Sequence, residues 1–160
     1  MRPRCYIASS FGFTEPGRRY YEDVYLPALA TVVDPVDPWA LTTARELADA
    51  LDRGRQRELA LEIGRRNSAA IRSCALLVAQ LDGQEVDSGT AAEVGFGFGL
   101  GLTCFGWRSD LRQAGEPAVT VNLQVESFIV DSGGMIVASL SELLAALERA
   151  PAEPATPQER

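Results

Sequence analysis

Short unbroken apolar runs alternate along this chain with longer stretches in which apolar residues recur at helical spacing, the pattern of buried strands connected by amphipathic helices. Arg4 to Ser9 is the first strand-like run. Thr14 with Pro16 then supplies an N-cap and an early-turn proline for a helical stretch to about Ala30. Thr31 to Val33 reads as a second short strand, closed by Asp34-Pro35-Val36-Asp37-Pro38-Trp39, where two prolines in four residues predict a rigid loop. Helices are expected over Thr42 to Leu51 and Arg55 to Ser73, the second with Leu59, Ile63, Ala70 and Ile71 on its apolar face. Cys74 to Leu81 is apolar throughout, as a strand covered on both faces should be. A polar loop, Asp82 to Asp87, leads into a helix from about Ser88 to Leu100, and Leu102 to Trp107 is the next buried strand. After a polar connection over Arg108 to Pro117, Val119 to Val130 reads as a strand end running into a short helix. Met135 to Ala138 is the last strand, and Ser139 caps a final helix.

Five strands separated by helices predict an α/β fold, because parallel strands need crossover connections and each crossover helix covers a face of the sheet. The expectation is a single-domain flavodoxin-like or Rossmann-like sandwich: a five-stranded, mostly parallel sheet with helices on both faces, spanning residues 1–150. The tail 151–160, rich in proline and without apolar period, is expected to be disordered. Ligands of such sheets bind beyond the carboxyl ends of the strands, which directs attention to the loops Ser9 to Phe13, Asp34 to Leu41, Asp82 to Glu93 and Arg108 to Asn122.

Composition narrows the chemistry. Among the 160 residues there is no histidine, and all 15 basic residues are arginine, so lysine is absent as well. Ser-His-Asp and Cys-His triads, His-ligated metals, Schiff-base lysines and the lysine-dependent phosphate loop each lack a necessary residue. Carboxylates, hydroxyls, amides, arginines and three thiols remain. Cys5, Cys74 and Cys104 are odd in number, far apart and set in apolar runs, as reduced core thiols would be, so neither a disulfide framework nor a metal site is expected. A net charge of −7 with dispersed arginines disfavours a polynucleotide partner. The longest weakly polar stretch, Val94 to Trp107, is glycine-rich and too short for a bilayer, so no membrane partner is expected. The start, Met-Arg-Pro-Arg, runs straight into a strand without a leader-like segment, which predicts a cytoplasmic protein.

The densest polar cluster runs from Asp82 to Gly95 and holds four carboxylates in the turn after a buried strand and the opening of a helix. Asp87 or Ser88 is a plausible N-cap, and Gly89, Ala91 and Ala92 leave room for a ligand to approach. Glu93, on the second turn, would be partly desolvated yet near the positive helix end, which should favour its ionised form and suit a nucleophile. Spacing alone leaves a plainer alternative: Asp87 only a cap, Asp82 and Glu85 solvated loop charges, Glu93 facing outward.

The segment Asp87-Ser-Gly-Thr-Ala-Ala-Glu93-Val-Gly95 resembles the active-site signature of nucleoside 2-deoxyribosyltransferases, in which an Asp precedes the nucleophilic Glu by six residues. Tyr6 in the first strand, the Asn67 region before the central strand, and Val121-Asn122-Leu123-Gln124 match in order, so the resemblance covers roughly residues 4–148. It implies that Glu93 attacks the anomeric carbon to give a covalent deoxyribosyl ester, that Tyr6 orients that carboxylate, and that Asp87 binds a sugar hydroxyl. It further implies that Asn122 reaches the sugar of a neighbouring subunit's site, in a homo-oligomer built from dimers. Asp37, Pro38 and Trp39 would lie beside the base, with Phe11 a further substrate contact from the first loop. The implied substrates are 2′-deoxynucleosides and free nucleobases, exchanged in nucleoside salvage without any cofactor. Two successive displacements at the anomeric carbon retain configuration and need neither histidine nor metal.

One departure stands out. Where many relatives place an Asp thought to contact or protonate the base, this chain has Asn67, which cannot readily donate a proton. Protonation of the base would then fall to Asp37, Asp82 or water. The nearest alternative is a 2′-deoxynucleoside 5′-monophosphate N-glycosidase on the same fold. Such relatives tend to carry Ser where Asp87 stands, and a carboxylate about 4 Å from a phosphate costs about 1 kcal/mol even in bulk water. Ser9 and Ser10 would be that alternative's phosphate contacts. A non-catalytic nucleotide-binding module predicts loss of at least one of Tyr6, Asp87, Glu93 and Asn122, and all four are present.

Overall fold

The computed structural model describes residues 2–151. Five parallel strands, β1 (Arg4–Ala8), β2 (Asp34–Val36), β3 (Leu76–Gln80), β4 (Thr103–Trp107) and β5 (Ile136–Val137), form one sheet in the order β2-β1-β3-β4-β5. The helices are α1 (Glu15–Tyr20), α2 (Leu26–Leu29), α3 (Ala44–Asp52), α4 (Gln56–Arg72), α5 (Ser88–Gly99), α6 (Leu123–Asp131) and α7 (Leu140–Glu148). This is the expected α/β sandwich.

Strand alternation sorts the core into two layers. Cys5, Ile7, Leu76, Val78, Phe105 and Trp107 face the layer of Tyr21, Tyr25, Leu29, Leu143 and Leu147, from the first helical stretch and α7. Tyr6, Ala8, Leu77, Ala79 and Cys104 face the opposite layer, with Ile71, Val94, Val125 and Ile129 from α4, α5 and α6. Both faces are covered, which is why β3 and β4 are buried at every position, Gln80 and Thr103 included. The three cysteines are free and buried; burial pushes the Cys104 thiol up to about 12. The sheet winds outward in both directions from β1 and β3, so the crevice at their carboxyl ends is where this topology offers a ligand site.

Three segments differ from the sequence expectation. Thr31 to Val33 is a turn, and the second strand is the next three residues, Asp34–Val36, Pro35 included. Pro35 is tolerated because β2 is an edge strand: the Asp34 N–H donates inward to the Pro3 carbonyl, so the neighbouring position, which lacks an N–H, faces the open edge. Val119 to Val121 is not a strand; Ala118 adopts a positive φ of 75°, and the Thr120 and Val121 amides donate to the Glu126 carboxylate, which draws this loop onto the start of α6. The first helical stretch begins as expected, with Thr14 Oγ1 accepting from the Gly17 amide, but it widens into a π turn over Tyr21–Tyr25. That widening comes just before Pro27, which cannot donate to the preceding turn.

Within α5 the glycines set how closely the helix packs. A Cβ on Gly97 would lie 3.0 Å from Leu77, and one on Gly95 3.2 Å from the Phe128 ring, so glycine lets α5 press onto β3 and α6. No helix among the described residues is long and apolar enough to cross a membrane. Beyond Pro151, the predicted tail lies outside the described residues.

Candidate active site

Alternation in β1 turns the Tyr6 side chain toward the α4–α5 layer, where it is fully buried. Its hydroxyl donates to Glu93 Oε1 on α5 at 2.6 Å, joining residues 87 apart in sequence. Asn67, from α4, directs its Nδ2 to the same oxygen at 3.4 Å. Glu93 is half-buried, and no hydrogen bond from the described residues reaches Oε2. One oxygen is therefore held from two sides and the other left open.

Asp87 is the N-cap of α5. Its Oδ2 accepts from the Thr90 amide at 3.0 Å and the Thr90 hydroxyl at 3.2 Å, and Oδ1 is not engaged by the described residues. Burial pushes the Glu93 carboxyl up from its ordinary value, the Asp87 charge pushes the same way, and the bonds from Tyr6 and Asn67 oppose. Burial therefore works against the ionised form that the nearby helix N-terminus is expected to favour. Burial and the Glu93 charge push the Tyr6 hydroxyl far above its ordinary value, so it remains a donor.

The remaining sequence candidates are scattered. Asp37 caps a short 3-10 turn, Pro38–Leu41; its Oδ1 accepts from the Trp39 amide at 2.9 Å and the Tyr21 hydroxyl at 2.8 Å. Asp37 follows Val36, which pairs with Tyr6 across the sheet, and its charge adds to the upward push on the Tyr6 hydroxyl. Trp39 lies over Gly12, where a Cβ would come within 2.3 Å of the indole, and meets the exposed Phe13 ring edge-on at 4.9 Å. Phe11 belongs to the other layer, packed against Tyr20, Tyr25 and Trp107.

Asp82 holds two loops together: Oδ1 accepts from the Ser109 amide at 2.6 Å and the Asp110 amide at 2.8 Å, and Oδ2 from the Ser109 hydroxyl at 2.8 Å. Asn122 caps α6 through Oδ1 to the Gln124 amide at 3.0 Å. It lines a cavity of about 450 Å³ with Glu85, Val86, Ala91, Ala114, Gly115, Glu116 and Val125. Ala91 and Glu93 diverge by about 200° around α5, so this cavity lies across the helix from Glu93.

Sequence reasoning missed two residues. Tyr21 fixes Asp37, and no spacing links them. Arg108, 5% exposed, donates to the carbonyls of Leu81, Gly83 and Arg112 and so clamps the loops after β3 and β4. An arginine directly after a buried, largely apolar strand was the available signal. Among the described residues no cluster of three acidic or thiol side chains is placed to hold a metal ion.

The family model described as nucleoside 2-deoxyribosyltransferase matches residues 5–158. A search of curated proteins finds no match. Among solved structures, the chain is similar to a 2-desoxiribosyltransferase from Leishmania mexicana, at 22% identity and a TM-score of 0.67, covering 92% of this chain and 98% of that one. It is also similar to a 2-deoxyribosyltransferase from Bacillus psychrosaccharolyticus, at 16% identity and 0.62, covering 96% and 99%. A CMP N-glycosidase from Clostridium botulinum shares the fold at 16% identity and 0.53, covering 91% and 97%.

Proposed function

The chain belongs to the nucleoside 2-deoxyribosyltransferase family, and from that premise we propose that it exchanges nucleobases on 2′-deoxyribose through a covalent intermediate on Glu93. The supporting observation is the Glu93 carboxylate with Oε1 held by Tyr6 and Oε2 open. In the first displacement Oε2 bonds to the anomeric carbon as the N-glycosidic bond breaks. Its electron pair stays on the departing base nitrogen, which takes up a proton. In the second, a nitrogen of the incoming base attacks the same carbon, the ester bond breaks, the carboxylate is restored, and the incoming base gives up a proton. The exchange is balanced without a cofactor and retains configuration.

Tyr6 orients the carboxylate and disperses its charge, and the unengaged Oδ1 of Asp87 is available to a sugar hydroxyl. Trp39, on its Gly12 seat with Phe13, flanks the base. Asp82 has both oxygens committed to Ser109 and Asp110, which favours Asp37 or water as the source of the base's proton. Asn122 lies across α5 from its own Glu93, which supports its delivery to a neighbouring subunit and hence a homo-oligomer built from dimers. Nucleoside salvage in the cytoplasm is the setting this chemistry suits.

The shared fold of the CMP N-glycosidase makes hydrolysis of a 5′-monophosphate the second reading. Two observations count against it. Asp87 brings a carboxylate where that reading puts the phosphate, and the Ser10 hydroxyl already donates to Gln80 at 3.1 Å. Parallel incubations of a 2′-deoxynucleoside and of its 5′-monophosphate, each with a different free base and followed by chromatography, decide between them. A new deoxynucleoside supports transfer; free base and deoxyribose 5-phosphate from a monophosphate, without exchange, would establish the hydrolase.

A further inference from the structure

We propose that Asn67 is a positioning residue for Glu93: with Tyr6 it pins Oε1 so that Oε2 is the attacking oxygen, and as an amide it does so without bringing a second negative charge to the nucleophile. This rests on the reading of Glu93 as nucleophile and concerns how this chain holds it. Asn67 Nδ2 and Tyr6 Oη converge on the same oxygen, at 3.4 and 2.6 Å, from α4 and β1. Two donors on one oxygen resist rotation of the carboxylate, which one donor alone permits.

The orientation of the amide follows from its surroundings. Asn67 Oδ1 is buried and has no hydrogen-bond partner. Reversing the amide would set a carbonyl oxygen against a carboxylate oxygen. The bond to Glu93 is thus what fixes the side chain, at the cost of an unpartnered acceptor.

Charge makes the amide matter. Asp87, on the cap of α5 itself, already opposes ionisation of Glu93. From β1 comes Tyr6, with Asp37 behind it. On α4, Arg66 is turned away to the Leu41 carbonyl and Glu46, and Arg72 lies over the Phe96 ring, 4.9 Å from its centroid. On α6, Glu126 is held by the Thr120 and Val121 amides, and the Cys104 thiol of β4 is buried and protonated. None of these arginines compensates the Glu93 charge. An acid at position 67 would face it across 3.4 Å, and one of the pair would hold a proton.

The test compares Asn67→Asp, which keeps the shape and adds the acid, with Asn67→Leu, which keeps the volume and removes the donor. Glu93 is titrated by carbon-13 NMR of glutamate-labelled protein, its resonance identified by its loss in Glu93→Gln. The acid limb of kcat/KM is followed in the exchange assay. The expected result is a Glu93 midpoint raised by about one pH unit or more in Asn67→Asp and by less in Asn67→Leu, with the acid limb moving alongside. The Asn67→Leu variant should also lose about tenfold in kcat with little change in KM. Midpoints unchanged in both folded variants, or a loss of rate with an unmoved acid limb, would overturn the proposal. Absence of exchange by the unmodified protein on every nucleoside would instead overturn the transferase reading, while the titration still decides how Asn67 and Glu93 are coupled.

Discussion

Asp82 and Glu93 close the two ends of the same acidic segment, and the structure treats them in opposite ways. Asp82 accepts three hydrogen bonds over both oxygens, all from the loop after β4. Glu93 accepts on one oxygen only, from residues of β1 and α4, and leaves the other open in a half-buried position. A saturated carboxylate fixes backbone; a carboxylate held by one oxygen and desolvated has an electron pair to offer. Composition could not separate them, since both are acids beside glycines after a buried strand. Hydrogen-bond accounting does.

The strongest challenge to this contrast is Glu93→Gln. Loss of the proposed nucleophile should lower exchange by about 10³-fold or more, with the fold intact by circular dichroism. Wild-type exchange in that variant would abolish the difference between the two acids. Next comes Tyr6→Phe, which removes the 2.6 Å donor and is expected to cost about 10²-fold in kcat, the scale of one preorganised donor. Because that bond opposes the upward push on the Glu93 carboxyl, its removal should also move the acid limb to higher pH.

Asp82→Ala tests the other side. It leaves the Ser109 and Asp110 amides without their acceptor and should destabilise the protein by about 2 kcal/mol, read in a denaturant melt. Asp82→Asn, which retains an acceptor oxygen, should recover part of that. Rates per folded molecule should fall far less than in Tyr6→Phe; a comparable loss would mean that Asp82 serves the chemistry directly.

The same accounting explains what was legible in the sequence. β3 and β4 could be read because burial on both faces leaves strands nearly unbroken in apolar residues, and the capping signals at Thr14, Asp87 and Ser139 are local. The second strand was displaced by three residues because Pro35 reads as a breaker, and only the position of β2 at the sheet edge makes it harmless. The Asp87–Glu93 segment was visible as a motif. That Asp82 is tied to Ser109, that Asp37 is held by Tyr21, and that Phe11 packs in the far layer are contacts between elements distant in sequence, with no local signature.

The smallest expected effect carries its own sign. The folded protein raises the Glu93 carboxyl above its ordinary value near 4.5, burial being the first cause. An acid raised on folding binds protons more readily in the folded state. It leaves stability untouched at pH values below the unfolded pKa and costs stability as pH climbs from there through the folded pKa, a deficit that persists at neutrality. Glu93→Gln should therefore melt at a higher temperature than the unmodified protein at pH 7, and the gap should close as the pH falls below about 4. Asp82 makes the opposite prediction, since its carboxylate is tied by three donors and its replacement lowers the melting temperature at pH 7. One substitution that removes activity and raises stability, beside another that removes stability and spares activity, is the signature of a carboxylate kept for chemistry next to one kept for structure. A lower melting temperature for Glu93→Gln at pH 7 would reverse the assignment and make Glu93 a structural acid.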